Sequence, residues 1–306
     1  MPRSHDVRAG LPSTKNSIVD DFFFSMCSLY APALTFARGY GIIFAMDFIL
    51  DDVKKDLPYA KDFFRHFGHS DMELLGQGAE SNVYGMKSVA VKFFRTEAEF
   101  RKLKIEWLIP KMGNLKTVQK RCEEGIKRGI NFCPILDVEE KMFHGEKRIV
   151  AYLPKLDGRT MRELGRPERG EANQTAYFRL AEELHEVGEE GFAKFIEDTV
   201  KLAEIGISYE DGTQSNHMIT KNPTDGKKHI SRIDLWKGKR PWNGKLGGCL
   251  PEVLTRDAMA LVAEGACPCV QLRAPVLEML GNAIKHVPHN DMALKRHERY
   301  KEAFGL

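Results

Sequence analysis

The chain has 306 residues, 42% of them hydrophobic and 29% charged, with 46 Lys and Arg against 43 Asp and Glu for a net charge of +3. That length suits one large or two modest domains with a substantial buried core, and the balance is that of an ordinary soluble protein. It excludes the strongly basic surface of a nucleic-acid binder, and without a zinc-finger or RNA-binding signature no nucleic-acid partner is expected.

The opening MPRSHDVRAGLPSTKNS lacks the charged-then-apolar layout of a signal peptide and reads as a loose tail. Phe22 to Leu50 is apolar but interrupted by Pro32, Arg38, Gly39, Gly41 and Asp47, whereas a bilayer span needs about 20 uninterrupted apolar residues. Packed helices are therefore expected here, and membrane contact is not. Asp51 to Gly68 is an amphipathic helical segment with Leu57, Phe63, Phe64 and Phe67 available for packing. The six cysteines (Cys27, Cys122, Cys133, Cys249, Cys267, Cys269) are scattered, which favours reduced thiols and a cytosolic location. Cys267-Pro268-Cys269 lacks a second pair at zinc spacing and reads as structural.

Near Ser70 the composition shifts to short β-like runs. In ELLGQGAESNVYGMKSVAVK, from Glu73 to Lys92, two extended runs flank a Gly76-Gln77-Gly78 loop, and the second ends in Val89-Ala90-Val91-Lys92. Glycine lets backbone N–H groups approach phosphate oxygens, while strand alternation aims one lysine at the same place. A tight hairpin with a solvated lysine has the same composition. A glycine loop, Val83 seven residues after its first glycine, and then V-A-V-K resembles the protein-kinase-like superfamily.

That resemblance implies that Gly76, Gly78 and Ser81 form the phosphate loop. It implies that Val83 and Ala90 lie against adenine, and that Lys92 binds the α- and β-phosphates. Thr96 to Met112 reads as a helix with Thr96 as N-cap and Glu99 as its capping-box partner. The resemblance asks this helix for a glutamate to pair with Lys92, Glu106 first and Glu99 in reserve. Cys133 to Val138 and Lys147 to Leu153 read as strands around a His144-Gly145 turn. Pro154 to Gly158 then resembles the hinge, with backbone groups near Tyr152, Leu153 and Pro154 facing adenine.

Thr160 opens a helical stretch, Arg166 to Asn173 is a polar loop, and Gln174 to Ile205 is helical with a break near Gly188 to Gly191. Next comes a hairpin, His217–Thr220 and His229–Ile233 about an Asn222–Gly226 turn, with Asp211 and Asn216 before it and Asp234 after. Carboxylate, amide and carboxylate suit a nucleotide-bound Mg²⁺ and an attacking hydroxyl. The five-residue spacing of Asp211 and Asn216 matches the kinase catalytic loop, and Ile233-Asp234-Leu235-Trp236 matches the metal-binding aspartate motif with Leu and Trp replacing Phe and Gly. Glu210 stands where related kinases carry arginine, so control by activation-loop phosphorylation is not expected. Thr255 to Gly265 reads as a helix on which Asp257 caps either the catalytic loop or its own helix; Ala274 to Val287 and Asp291 to Phe304 add two more.

The expected fold is α+β and bilobal: residues 1–70 a tail plus helical extension, 71–153 an antiparallel-sheet N-lobe, 154–306 a reduced, mainly helical C-lobe. The implied function is an ATP- and Mg²⁺-dependent Ser/Thr protein kinase of an atypical type, similar to compact effector kinases that bacterial pathogens deliver into host cytosol. Catalysis falls to Asp211, Lys92 and Glu106, and metal binding to Asn216 and Asp234. Partners implied are ATP, a protein substrate and a regulator on the N-terminal helices. The rival readings are a pseudokinase-type binding module, a small-molecule kinase and another nucleotide transferase on the same fold.

Overall fold

A computed structural model describes residues 40–207, 212–222, 226–235 and 250–306, with side chains from residue 50 onward. By internal contacts the chain divides into Met1–Tyr40 and Gly41–Leu306, and all that follows concerns the second unit.

The protein is α+β. Five antiparallel strands, β1 (Met72–Gln77), β2 (Ser81–Met86), β3 (Val89–Phe94), β4 (Asp137–Phe143) and β5 (Glu146–Pro154), form a sheet in the order β1-β2-β3-β5-β4. Two-residue connections set its registers. Lys87 at φ 54° turns β2 into β3, and His144 and Gly145 at φ 49° and 80° turn β4 into β5, as hairpins with right-handed twist require. The second extended run expected from sequence is thus two strands. β3 is buried along its whole length, the mark of a central strand covered on both faces.

Strand alternation divides β3 between two cores. Val89, Val91 and Phe93 point, with Val150 and Tyr152 of β5, toward Val53, Ala60 and Phe63. These last belong to α1 (Tyr40–Lys61) and α2 (Phe63–His66), so the amphipathic segment ending near Gly68 packs on the sheet as its periodicity predicts. Phe63, Phe64, Phe67, Phe93 and Phe143 form its aromatic centre, with Phe64 stacked on Phe143 at 4.8 Å. The opposite face carries Ala90, Lys92 and Phe94, with Leu153 and Val138, and is covered by Leu115 and Cys122.

Leu115 and Cys122 belong to α4 (Met112–Lys127). Here the structure corrects the sequence. The helix expected over Thr96 to Met112 stops at Lys102 as α3 (Glu97–Lys102), because Lys104 takes φ 57° and a 3₁₀ turn at Glu106–Leu108 leads into Pro110. Its start is as read, since Thr96 and Glu99 form a reciprocal capping box. α4 itself is not anticipated, Gly113 and Gly125 both lowering its intrinsic helix propensity.

The remaining chain is mainly helical. β6 (Gly158–Thr160) runs into α5 (Met161–Leu164), again through a capping box, Thr160 with Glu163. α6 (Asn173–Glu204) is broken at Gly188, φ 69° and ψ −178°, inside the stretch where a break is expected. β7 (His217–Lys221) and β8 (Lys228–Arg232) complete a second sheet in the order β6-β7-β8. Only glycine fits at 158, where a Cβ would lie 2.2 Å from the Ile219 carbonyl oxygen. α7 (Pro251–Ala266), α8 (Arg273–Lys285) and α9 (Asp291–Phe304) pack on α6 around Leu184, Phe192, Met259, Val262 and Leu280. α7 begins four residues before the expected Thr255. Among the described residues Asp257 takes neither expected capping role; its carboxylate binds Arg256, 2.7 Å away on the surface. Among the described residues no helix is long and apolar enough to cross a membrane.

Candidate functional site

Lys92 and Asp234, 142 positions apart, meet at 2.7 Å between Nζ and Oδ1. Lys92 is only 7% exposed, its stem lying on the α4-facing side of β3 with its ammonium 5.3 Å from the Phe94 ring centre. Asp234 follows β8 at φ 61°, a left-handed conformation that non-glycine residues adopt sparingly and that concentrates at functional sites. Leu235 is buried in the same core as Leu115 and holds the backbone there.

Asn216, 8% exposed, closes a 3₁₀ turn (Gln214–Asn216), and its carbonyl oxygen accepts the Ile233 N–H at 2.9 Å. That bond locks Asn216 beside the residue preceding Asp234. β8 is braced from behind. The Cys133 N–H donates to the Arg232 carbonyl at 2.8 Å, and Ser231 Oγ donates to Asn131 Oδ1 at 3.1 Å. Asn131 in turn donates its N–H to Asp198 of α6 at 3.0 Å. Burial pushes the Asp198 carboxyl above its usual range despite the adjacent Lys194 ammonium. Burial likewise pushes the Cys133 thiol, close enough to feel both Lys92 and Asp234, up to about 12, so it is a packing residue rather than a nucleophile.

The glycine loop lies over the sheet end nearest Lys92. Val83 is the cross-strand neighbour of Lys92, Gly76 pairs with Val83, and Ser81 pairs with Phe94. Ala90 pairs with Leu153. By alternation Ser81, Val83, Ala90, Lys92 and Leu153 share one face. The Gly78 N–H closes the turn onto the Ser81 carbonyl at 2.9 Å, while Arg95 clamps the loop from outside, Nε on the Ala79 carbonyl at 2.8 Å and Nη2 on that of Gly78 at 3.1 Å. Sequence alone does not flag Arg95; a cation just past the lysine strand is its only signal.

Three expectations change. Glu106 is exposed on the 3₁₀ turn and does not reach Lys92. Glu99 is no substitute, for its carboxylate takes the Thr96 N–H at 2.7 Å and Arg148 Nη1 at 2.8 Å. Burial alone would raise Glu99, but those donors hold it below the usual carboxylate range. α4 offers the sheet Leu115 and Cys122, and among the described residues Asp234 is an acidic partner of Lys92. Third, the Tyr152 ring faces the other core, its hydroxyl donating to Glu139 at 2.5 Å, and its carbonyl oxygen is taken by the Leu136 N–H at 2.8 Å. Past the β3–β5 ladder the Lys155 N–H donates to the Ser88 carbonyl at 2.7 Å, which leaves Leu156 as the next backbone position.

Asp211 lies outside the described residues. A cavity of about 250 Å³, lined by Gly158, Arg159, Glu183, Ile219, Lys221 and Lys228, is separate from the Lys92–Asp234 pair. No protein-family model matches the chain, and no curated protein matches it significantly.

Proposed function

We propose that the chain is an ATP-dependent phosphotransferase of bilobal protein-kinase-like fold, acting on Ser or Thr hydroxyls of a protein. The observation that carries this reading is the 2.7 Å contact between Lys92, beside a glycine loop, and Asp234, beside Asn216. These residues fit a metal-bound nucleotide: Asn216 and Asp234 present oxygen donors suited to a hard cation, and Lys92 supplies a sheltered ammonium for phosphate. Mg·ATP, when bound, supplies the phosphoryl group and the charge neutralisation its transfer needs.

The chain's own contribution is positioning. Lys92 holds phosphate oxygens, Asn216 and Asp234 hold the cation, and Asp211 orients the acceptor hydroxyl and takes its proton. Val83, Ala90 and Leu153 offer an apolar wall for the base, and the backbone near Leu156 supplies its polar contacts. The buried free cysteines Cys122, Cys133, Cys267 and Cys269 suit a reducing compartment such as a cytosol.

Purified protein incubated with Mg²⁺, ³²P-labelled ATP and a proteome extract tests this. Lys92→Ala and Asp211→Asn are expected to lower incorporation about 10²- to 10⁴-fold, the range for losing a positioned proton acceptor, with the fold intact by circular dichroism. Undiminished transfer by Asp211→Asn would end the assignment. The exposure of Glu106 on its 3₁₀ turn favours one second reading, a pseudokinase-type binding module. A protein that shows neither Mg-dependent stabilisation by ATP nor incorporation would establish it.

A further inference from the structure

We propose that the cavity between the β6-β7-β8 sheet and α6 binds a small phosphate monoester carrying hydroxyl groups, apart from the nucleotide site. Strand register sets its chemistry. Lys221 and Lys228 stand directly opposite one another across β7 and β8, both lining the cavity, and like charges so placed repel. α6 relieves one of them: Glu183 and Glu186 bring carboxylate oxygens within 2.6 and 2.8 Å of Lys228 Nζ. Lys221 is left without an acid, for among the described residues its ammonium enters no ion pair.

A second cation joins it. Arg159 on β6 pairs with Ile219, two positions before Lys221, so alternation puts both cations on the same face of the sheet. Diagonal neighbours of this kind lie about 7–8 Å apart, a span that two long side chains close around one phosphate. Glu171, the carboxylate that senses Arg159, is already held by Arg179 at 2.7 Å. The cavity wall also carries Asp157, exposed and without an ion pair among the described residues. A carboxylate there opposes a bare anion and accepts hydrogen bonds from hydroxyl groups, so the two cations take the phosphate and Asp157 the polyol. The volume, about 250 Å³, falls below the roughly 300–1,000 Å³ of pockets for larger ligands, which fits a short polyol phosphate rather than a nucleotide.

The test is hydrogen exchange by mass spectrometry on the full-length protein, titrated with glycerol 3-phosphate or with inorganic phosphate while chloride keeps ionic strength constant. Glycerol 3-phosphate is expected to slow exchange in peptides covering 157–164 and 217–221, and inorganic phosphate to do so only at about tenfold higher concentration. Arg159→Met and Lys221→Met should each raise the half-saturating concentration of both probes about tenfold or more, the worth of one hydrogen bond to a charged group. Asp157→Ala should weaken glycerol 3-phosphate alone. All three side chains are exposed, so the variants are expected to fold. Inorganic phosphate binding as tightly as the ester would overturn the polyol part and leave a site for free phosphate. No protection in these peptides, or protection that survives both cation substitutions, overturns the proposal. Protection abolished by Lys92→Met does so too, by assigning the phosphate to the nucleotide site. None of these readouts depends on phosphate transfer, so the phosphotransferase reading stands or falls separately.

Discussion

Replacing Lys92 by methionine keeps the buried stem and removes the ammonium from the Asp234 carboxylate. At the observed 2.7 Å and an effective dielectric of about 20, the direct attraction is about 6 kcal/mol before either group's desolvation is subtracted. Truncating one partner of a fully buried pair costs about 3–5 kcal/mol, chiefly through the charge left behind. The Asp234 side chain is 21% exposed and can recruit water, so the expected loss is nearer 2 kcal/mol. Asp234→Asn should destabilise less, because an amide tolerates the loss of its cation. The double variant should recover about 1–2 kcal/mol relative to the sum of the single losses, as coupled neighbours do. Urea unfolding without nucleotide, on wild type, both single variants and the double, measures this coupling. A double variant additive to within about 0.3–0.5 kcal/mol would show that the two groups do not interact in solution. The site as drawn would then have no centre.

Two further outcomes follow from the packing and from one titration. Phe63→Ala empties the aromatic cluster between α2 and the sheet and should lower unfolding free energy by about 3–5 kcal/mol in the same assay; a loss under about 1 kcal/mol would mean that these helices do not cover the sheet. Glu99 has its pKa lowered on folding, so its stabilisation is fully present above the unfolded carboxylate value of about 4.3 and disappears as pH falls through the folded value. The stability gap between wild type and Glu99→Gln should therefore be constant from neutrality down to about pH 5 and narrow below it. A gap that widens on acidification would reverse the sign and refute the pairing with Arg148.

What was legible in the sequence was whatever depends on neighbours along the chain. Thr96 and Glu99 announce a helix start because both halves of a capping box lie within four residues, and His144-Gly145 announces a hairpin because its turn demands left-handed backbone. The break at Gly188, and the placement of Lys92 on a strand behind a glycine loop, are of the same kind. α4 escaped because two glycines weaken its local signal while its stability comes from the sheet it covers.

Tertiary structure alone decided which charges meet. From sequence, Glu106 is the first choice as partner for Lys92 and Glu99 the reserve, but spacing along a helix says nothing of where that helix ends or what lies across the chain. In the folded protein Arg148, 49 positions away, claims Glu99, and the helix ends before Glu106 can turn inward. Tyr152 and Leu153 are adjacent in sequence yet face opposite cores, because neighbouring strand residues alternate sides and the two helical layers divide them. Local order was written in the residues themselves; the pairing of Lys92 with Asp234 existed only once both faces of the sheet were covered.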